Sequence, residues 1–298
     1  MRDGLPRSSA VTLGSHRQRA RAANPPRYPP AQASMAHVIA LSNQKGGVGK
    51  TTTAINLSAA LARLGQRVLL VDLDPQGNAS SGLGHPKDAV SAGTYDVLME
   101  YRDLDSVRQP TSLDKLEVVP ATTDLIGAEV ELVSADRREQ RLRKALNRVR
   151  DSYDFIILDC PPSLGLLTLN ALIAADAVLV PLQAEYYAME GLGELLRTIH
   201  AVQKGANPDL RREGIVLTMF DGRNNLSKEV EGEARKLFGK EVFKAVIPRN
   251  VRLGEAPSYG KSIVEYDPRS TGSRAYVDLA AELLRRHGIK FKRPEALS

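Results

Sequence analysis

The sequence predicts an α/β fold in which helices flank a single doubly wound, mostly parallel sheet. Short runs of apolar residues rich in Val, Ile and Leu recur along the chain, and stretches with helical periodicity separate most of them. The runs are apolar at consecutive positions, which is typical of strands covered on both faces. The length of 298 residues is compatible with one domain of this class.

The elements follow one another from residue 37 to the end of the chain. The expected strands are Val38–Leu41, Val68–Val71, Leu116–Val119, Phe155–Leu158, Ala177–Val180, Ile215–Met219 and Val242–Ile247. The expected helices are Lys50–Leu64, Asp136–Arg150, Met189–Gln203, Leu226–Phe238 and Gly272–Arg286. Ligands of such sheets bind at the carboxyl ends of the strands, so polar residues there are candidates for function.

Residues 1–34 differ from the rest of the chain in composition. They hold six arginines, one acidic residue and five prolines, and they show no hydrophobic periodicity. We expect a disordered basic tail, or alternatively a start codon placed too early with Met35 as the first residue, followed by one domain over 35–298. The tail carries +5 of the net charge of +6, so the total charge is no argument for a nucleic-acid partner.

Cysteine content and hydropathy limit the function classes. The single cysteine, Cys160, excludes an intramolecular disulfide framework and a cysteine-rich metal cluster built from one chain. No apolar run approaches the roughly 20 residues of a membrane-spanning helix. These features favour a cytoplasmic protein.

A glycine-rich loop, Asn-Gln-Lys-Gly-Gly-Val-Gly-Lys-Thr-Thr over 43–52, follows the first strand and opens the first helix. Glycines there let backbone N–H groups point inward and bind phosphate oxygens, assisted by the positive end of the helix dipole. A lysine then reaches the β- and γ-phosphates, and a threonine hydroxyl coordinates Mg²⁺. The expected nucleotide-binding residues are Gly46, Gly47, Val48, Gly49, Lys50, Thr51 and Thr52.

Three carboxylates follow strands next to this loop. Asp72 and Asp74 are two residues apart at the end of the second strand, where they project to the same side. A carboxylate at this place can position a water molecule, although an Asp-Pro turn is the plainer interpretation. Asp159 ends a buried strand in the Walker B pattern, which predicts that it holds Mg²⁺ through water.

The loop departs from the usual phosphate-loop pattern, because Gln44 replaces the first glycine and Lys45 is an additional lysine. It resembles the deviant Walker A motif of the ParA/MinD class of ATPases, a variant of the P-loop NTPase fold. The resemblance implies ATP and Mg²⁺ as ligands. It also implies that Lys45 reaches the nucleotide of a partner subunit while Lys50 acts within its own subunit.

Two later stretches, 218–227 and 246–261, resemble ParA/Soj chromosome-partitioning proteins, and the resemblance extends over most of 37–287. It implies an ATP-dependent homodimer that binds double-stranded DNA without sequence preference and associates with the nucleoid. A ParB-type centromere-binding partner would stimulate slow ATP hydrolysis, and hydrolysis would release the DNA.

The same resemblance implies roles for individual residues. Asp74 matches the residue that orients the attacking water, and Asp72 matches an acid that supports the magnesium site. In the second half, Arg223 and Arg252 match contacts to the DNA backbone. The expected adenine-site residues are Pro248 and Asn250.

Alternatives share the same loop. A MinD-type ATPase on a membrane surface would need a basic amphipathic terminal helix, but the stretch 281–288 ends in glycine and Pro294 follows. A nitrogenase-reductase-like carrier would need two cysteines. A transcriptional regulator or a plasmid-maintenance ATPase with the same machinery remains open.

Overall fold

One mixed sheet organises the computed structural model, which describes residues 35–185 and 188–293. Within these residues its eight strands have the order β3-β4-β2-β5-β1-β6-β7-β8, and β3 alone runs antiparallel to its neighbour. The expectation for residues 1–34 lies outside the described residues. The strands are β1 (His37–Leu41), β2 (Val68–Asp72), β3 (Gln109–Pro110), β4 (Leu116–Val119), β5 (Phe155–Asp159), β6 (Ala177–Gln183), β7 (Arg211–Phe220) and β8 (Val242–Pro248).

Helices lie in most of the connections between the strands and follow the last strand. They are α1 (Lys50–Arg63), α2 (Asn78–Gly82), α3 (Thr94–Leu98), α4 (Leu104–Val107), α5 (Leu125–Glu131), α6 (Arg141–Leu146), α7 (Leu166–Ala174), α8 (Ala188–Lys204), α9 (Asn225–Phe238), α10 (Val251–Glu255), α11 (Ile263–Tyr266) and α12 (Thr271–Arg286). Among the described residues, none of these helices has the length and apolar character needed to cross a membrane.

The sheet has a hydrophobic core on each face, which confirms the doubly wound architecture. Along β1, Val38 and Ala40 belong to one core while Ile39 and Leu41 belong to the other, because successive side chains of a strand point to opposite faces. Helices α7 and α8 cover the first face. Helices α1 and α12 cover the second, so every residue of β1 except the first is buried.

One helix prediction was wrong in extent, and one helix was missed. The stretch 136–150 was expected to be one helix, but residues 136–139 form a turn and α6 begins only at Arg141. Arg137 has a φ of 47°, a left-handed conformation that cannot continue an α-helix. The sequence interpretation also missed α7, because this helix is apolar nearly all around and shows no amphipathic periodicity.

The parallel register brings three strand ends together. Leu41 of β1 and Asp72 of β2 both pair with Asp159 of β5, which lies between them. The segments that leave these strands therefore start from the same edge of the sheet. This edge carries most of the residues that the sequence singled out.

Candidate functional site

The loop between β1 and α1 has the backbone of a phosphate cradle. Gly47 and Gly49 have φ angles of 73° and 85°, in the left-handed region that favours glycine. A Cβ atom added at Gly46 or Gly47 would have no heavy atom within 4 Å, so no other part of the chain that the structure describes crowds the loop at these two glycines. Because α1 begins at Lys50, the loop also ends on unpaired helical N–H groups.

Two neighbouring strands hold this loop in place. The Thr218 hydroxyl on β7 donates to the carbonyl oxygen of Val48 at 2.8 Å. The Asn43 amide nitrogen donates to the carbonyl oxygen of Pro181 on β6 at 2.7 Å, and its oxygen accepts from the Lys45 N–H at 3.0 Å. Thr218 and Asn43 were not predicted as site residues, because each bonds to a residue that is distant in sequence.

The two lysines of the loop have different surroundings. Lys50 is buried, and its ammonium donates to the Lys45 carbonyl oxygen at 3.2 Å. Burial lowers the pKa of Lys50, and the nearby Asp159 and Asp74 carboxylates oppose that shift. The Lys45 ammonium instead lies at the rim, 3.0 Å from Glu185, with 40% of its side chain exposed.

Asp159 is the least satisfied polar group of the site. Its side chain is fully buried, and neither carboxylate oxygen has a hydrogen-bond partner among the described residues. Burial raises the pKa of Asp159 well above its ordinary value, as does the neighbouring Asp72, while the nearby Thr51 hydroxyl opposes the shift. A buried carboxylate without partners is costly, and a bound divalent cation would remove that cost. Asp159 and Thr51 therefore fit a magnesium site.

The Asp72 carboxylate, in contrast, accepts hydrogen bonds from nearby residues of the chain. One oxygen accepts from the backbone N–H and the hydroxyl of Ser80, at 2.8 and 2.6 Å, and the other accepts from the Asp74 N–H at 3.1 Å. Burial raises the pKa of Asp72 to about 6. These bonds favour a supporting role, in which Asp72 shapes the segment that carries Asp74, over direct contact with a metal. Ser80 was not predicted.

Asp74 begins the segment between β2 and α2. It is 9% exposed, and one of its carboxylate oxygens accepts from the Gln76 N–H at 2.9 Å. Its carbonyl oxygen accepts from the Gly77 N–H, which closes a turn. The Asp74 carboxylate is close enough to Lys50 to raise the pKa of that ammonium, against the effect of burial.

The second-half residues follow β7 and β8. These strands pair with Phe220 opposite Pro248, so the segments after them lie side by side. Asn250 caps α10 by accepting from the Arg252 N–H at 2.8 Å, and its amide donates to the Thr271 hydroxyl at 2.7 Å.

The two arginines expected at DNA are both exposed and both paired with acids. The Arg223 guanidinium donates to both carboxylate oxygens of Asp221 at 3.1 Å, and its side chain is 92% exposed. Arg252 lies 2.8 Å from Glu255. The structure thus brings the arginines to one edge of the sheet but leaves each beside a carboxylate with which a phosphate would compete.

Comparison with known proteins agrees with this geometry. The AAA domain family matches residues 36–212. The chromosome partitioning protein ParA of Myxococcus xanthus is 57% identical over 88% of this chain and 92% of its own, and the sporulation initiation inhibitor protein Soj of Bacillus subtilis is 57% identical over 84% and 98%. A crystal structure of cobyrinic acid a,c-diamide synthase from Mycobacterium smegmatis, with bound ATP analog and magnesium, superimposes with a TM-score of 0.75 at 40% identity over 86% of this chain and 98% of that one.

The resemblance drawn from the loop and from the second half of the sequence is confirmed by these relatives, which match far more than the motifs. The two curated relatives are covered nearly end to end, so the likeness concerns the whole domain and not the phosphate loop alone. The chain belongs to the ParA/Soj family of chromosome-partitioning proteins.

Proposed function

We propose that this chain is a Mg²⁺-dependent ATPase for chromosome or plasmid partitioning that forms a homodimer on binding ATP. The dimer binds double-stranded DNA without sequence preference, and hydrolysis stimulated by a ParB-type partner releases it. The observation that supports this most strongly is the buried Asp159 carboxylate near Lys50 and the phosphate loop, which accepts no hydrogen bond within the described part of the chain. Residues so placed bind a metal and a phosphate together.

The chemistry needs positioning more than it needs a strong base. Backbone N–H groups of residues 46–52 and the Lys50 ammonium would bind the phosphates, and Thr51 and Asp159 would hold Mg²⁺, which neutralises charge on the phosphate oxygens. Asp74 would orient the attacking water while Asp72 keeps its segment in shape. Hydrolysis that relies on an oriented water without a strong general base is slow, so the enzyme acts as a timer.

Lys45 would connect the chemistry to dimerisation. In the single chain its ammonium pairs with Glu185 at the rim of the site. An exposed ion pair of this kind contributes only about 0–1 kcal/mol, so Lys45 can leave it at small cost. In the dimer Lys45 would reach the phosphates bound by the partner and stabilise the charge that develops there, as an arginine finger does. ATP would then hold the two subunits together.

DNA binding would follow from the dimerisation of two subunits. Nonspecific affinity depends on the number of phosphates neutralised, with a salt slope of about −0.9 per phosphate. Two subunits on one duplex roughly double that number, so the dimer binds DNA far more tightly than the monomer does. Arg223 and Arg252 would supply the contacts, and Pro248 and Asn250 would lie at the adenine. Association with the nucleoid follows from this activity.

The membrane-surface alternative is not favoured. Helix α12 carries an apolar face, but Leu279, Leu283 and Leu284 on that face are buried in the core against β8 and α1. A membrane would have to compete with the core for these residues. The close relatives are partitioning proteins as well.

Co-sedimentation with DNA tests the proposal. The protein is mixed with double-stranded DNA and, separately, with liposomes, in the presence of ATP or ADP. We expect DNA binding with ATP and little with ADP, no binding to liposomes, and loss of DNA binding in Lys50→Ala. Lys204→Ala, which changes an exposed lysine at the end of α8, serves as the matched control and keeps DNA binding. Equal DNA binding with both nucleotides, or binding to liposomes alone, would contradict the proposal.

A further inference from the structure

A second cluster of polar side chains lies at the opposite edge of the sheet. Glu213 near the start of β7 contacts His37, the first residue of β1, and His287, which follows α12. The His37 Nε2 atom is 2.8 Å from one oxygen of Glu213. The His287 Nε2 atom is 3.1 and 3.2 Å from the two oxygens. Three elements distant in sequence therefore present one carboxylate and two imidazoles to a common point.

The cluster is largely enclosed but open on one side. The Glu213 side chain is fully buried, and the side chains of His287 and His37 are 10% and 22% exposed. The two imidazole rings lie 4.4 Å apart between centroids, and the Phe155 ring packs edge-on near both. The Phe155 ring is an apolar wall of the cluster, and His37 is its most exposed member.

We propose that His37, Glu213 and His287 form a binding site for one divalent transition-metal ion, with Zn²⁺ the ion that fits best. Each residue offers one ligand atom, and these atoms lie within 4.8 Å of one another. Bonds of about 2.0–2.1 Å in a tetrahedral site place ligand atoms roughly 3.3 Å apart. The Nε2–oxygen distances need to widen by only a few tenths of an ångström. Imidazole and carboxylate ligands suit Zn²⁺, and a water that reaches the ion past the partly exposed His37 would be the fourth ligand.

A second carboxylate lies on the far side of the His37 ring, near its Nδ1 atom. Its Nδ1 atom lies 3.8 Å from a carboxylate oxygen of Asp176. That oxygen is itself fixed, since it accepts from the Val38 N–H at 2.8 Å and contacts the Arg150 guanidinium. At 3.8 Å the Asp176 carboxylate makes no direct hydrogen bond to Nδ1, but its negative charge favours a proton on Nδ1, which leaves Nε2 as the ligand atom.

The site would join the two ends of the domain. An ion there would link the first strand and the segment after the last helix to β7, about 15 Å along β1 from the phosphate loop. Binding would displace the protons on the two Nε2 atoms that now face Glu213, because a metal ligand must offer a lone pair. The ion would stabilise the fold and take no part in hydrolysis, so this inference is independent of the proposed function.

Calorimetric titration of the full chain with ZnCl₂ tests the site. Co²⁺ absorption spectra serve as a second readout, because imidazole-bound tetrahedral Co²⁺ gives visible ligand-field bands. We expect one ion per chain, and a loss of affinity of about tenfold or more in His37→Gln and in His287→Gln. Glutamine can still donate to Glu213, so both variants should fold. His200→Gln on the exposed side of α8 is the matched control and should bind like the parent.

Thermal unfolding separates binding at this site from adventitious binding. Zn²⁺ should raise the Tm of the parent, of His200→Gln and of Lys50→Ala, and leave that of His287→Gln unchanged. Affinity weaker than about 100 μM, or affinity that survives both histidine substitutions, would overturn the inference. The Lys50→Ala result keeps this test apart from nucleotide binding.

Discussion

At the residue scale, two buried carboxylates at neighbouring strand ends differ in their partners. Asp72 accepts three hydrogen bonds from Ser80 and Asp74, whereas Asp159 accepts none among the described residues. Satisfied polar groups stabilise a fold, and an unsatisfied one is retained at a cost. The contrast assigns a structural task to Asp72 and leaves Asp159 available for a ligand.

The cost at Asp159 leads to a prediction about Asp159→Asn. A bound Mg²⁺ lowers the free energy of the transition state of phosphoryl transfer by several kcal/mol, because it neutralises the charge that develops there. The substitution removes a ligand of this ion, so the rate of ATP hydrolysis should fall by about 100-fold or more. The free energy of unfolding without nucleotide should stay the same or rise, because a buried charge is removed. Turnover assays and urea titrations measure the two effects.

The exposed aspartate of α12 provides the control. Asp278 contacts Arg293 at the surface, and Asp278→Asn should leave hydrolysis unchanged. The assignment of a metal-holding role would be wrong if Asp159→Asn kept normal turnover. It would also be wrong if the variant lost activity only because it unfolds, which a large fall in its free energy of unfolding would show.

Residues of the phosphate loop were predictable because the motif itself constrains the backbone: Gly47 and Gly49 occupy left-handed conformations that few other residues adopt. Thr218 and Ser80 were not. Thr218 bonds to a residue 170 positions away, and no local pattern reports such a contact. The partner of Lys45, Glu185, escaped prediction for the same reason.

At the element scale, Glu282 attaches α12 to β8. Its carboxylate accepts from the backbone N–H groups of Lys244 and Ala245, at 3.0 and 2.9 Å, and lies 2.8 Å from Arg286. Burial disfavours the charged carboxylate, but these bonds outweigh it and hold the pKa of Glu282 below its ordinary value of 4.5. Helix α12, which packs in the core of one sheet face, is therefore attached to β8 by a charged group.

The depressed pKa gives a pH-dependent prediction for Glu282→Gln. A group whose pKa is lower in the folded state stabilises the fold above its unfolded pKa and loses that contribution as the pH falls. At pH 7 the variant should be less stable by about 1–2 kcal/mol. The difference should shrink once the pH falls below about 4.5. Urea unfolding at a series of pH values measures it.

Asp278→Asn, on the exposed side of α12, should change stability by less than about 0.5 kcal/mol at pH 7. A Glu282→Gln deficit that stayed constant down to the lowest pH at which the protein is folded would show that the charge is not what ties the helix to the strand.

Elements were predictable where periodicity separates a buried face from an exposed one. Helices α8, α9 and α12 do so, and they were predicted within about one residue at each end. Helix α1 is buried throughout residues 53–62, but the glycine-rich loop before it marks where it begins. Helix α7 is buried on most sides, so its sequence lacks the regular alternation of polar and apolar residues from which a helix is recognised. The two-residue β3 is too short to show any alternation.

At the scale of the whole molecule, DNA binding depends on charges that the two subunits bring together. Arg223→Ala should weaken binding to every DNA sequence alike and reduce the salt slope by about one phosphate equivalent per subunit, because a backbone contact carries no sequence information. Fluorescence anisotropy at several salt concentrations measures both quantities with ATP present.

The matched control is Arg197→Ala on α8. Arg197 is exposed and lies beside an acid, Glu194, as Arg223 lies beside Asp221, so both substitutions remove a similar surface charge. We expect the control to keep the parent's affinity and slope. Equal effects of the two substitutions would indicate a response to total charge and no contact at Arg223.

The account depends most on Lys45 acting in the site of the partner subunit, and a mixing experiment measures this. Lys45→Ala and Asp74→Ala should each be inactive alone. A mixed dimer would contain one complete site, formed by the Asp74 of one subunit and the Lys45 of the other. An equimolar mixture with ATP and DNA should therefore recover about a quarter of the parent's turnover. A mixture as inactive as its components would show that Lys45 serves its own subunit, and would contradict the account.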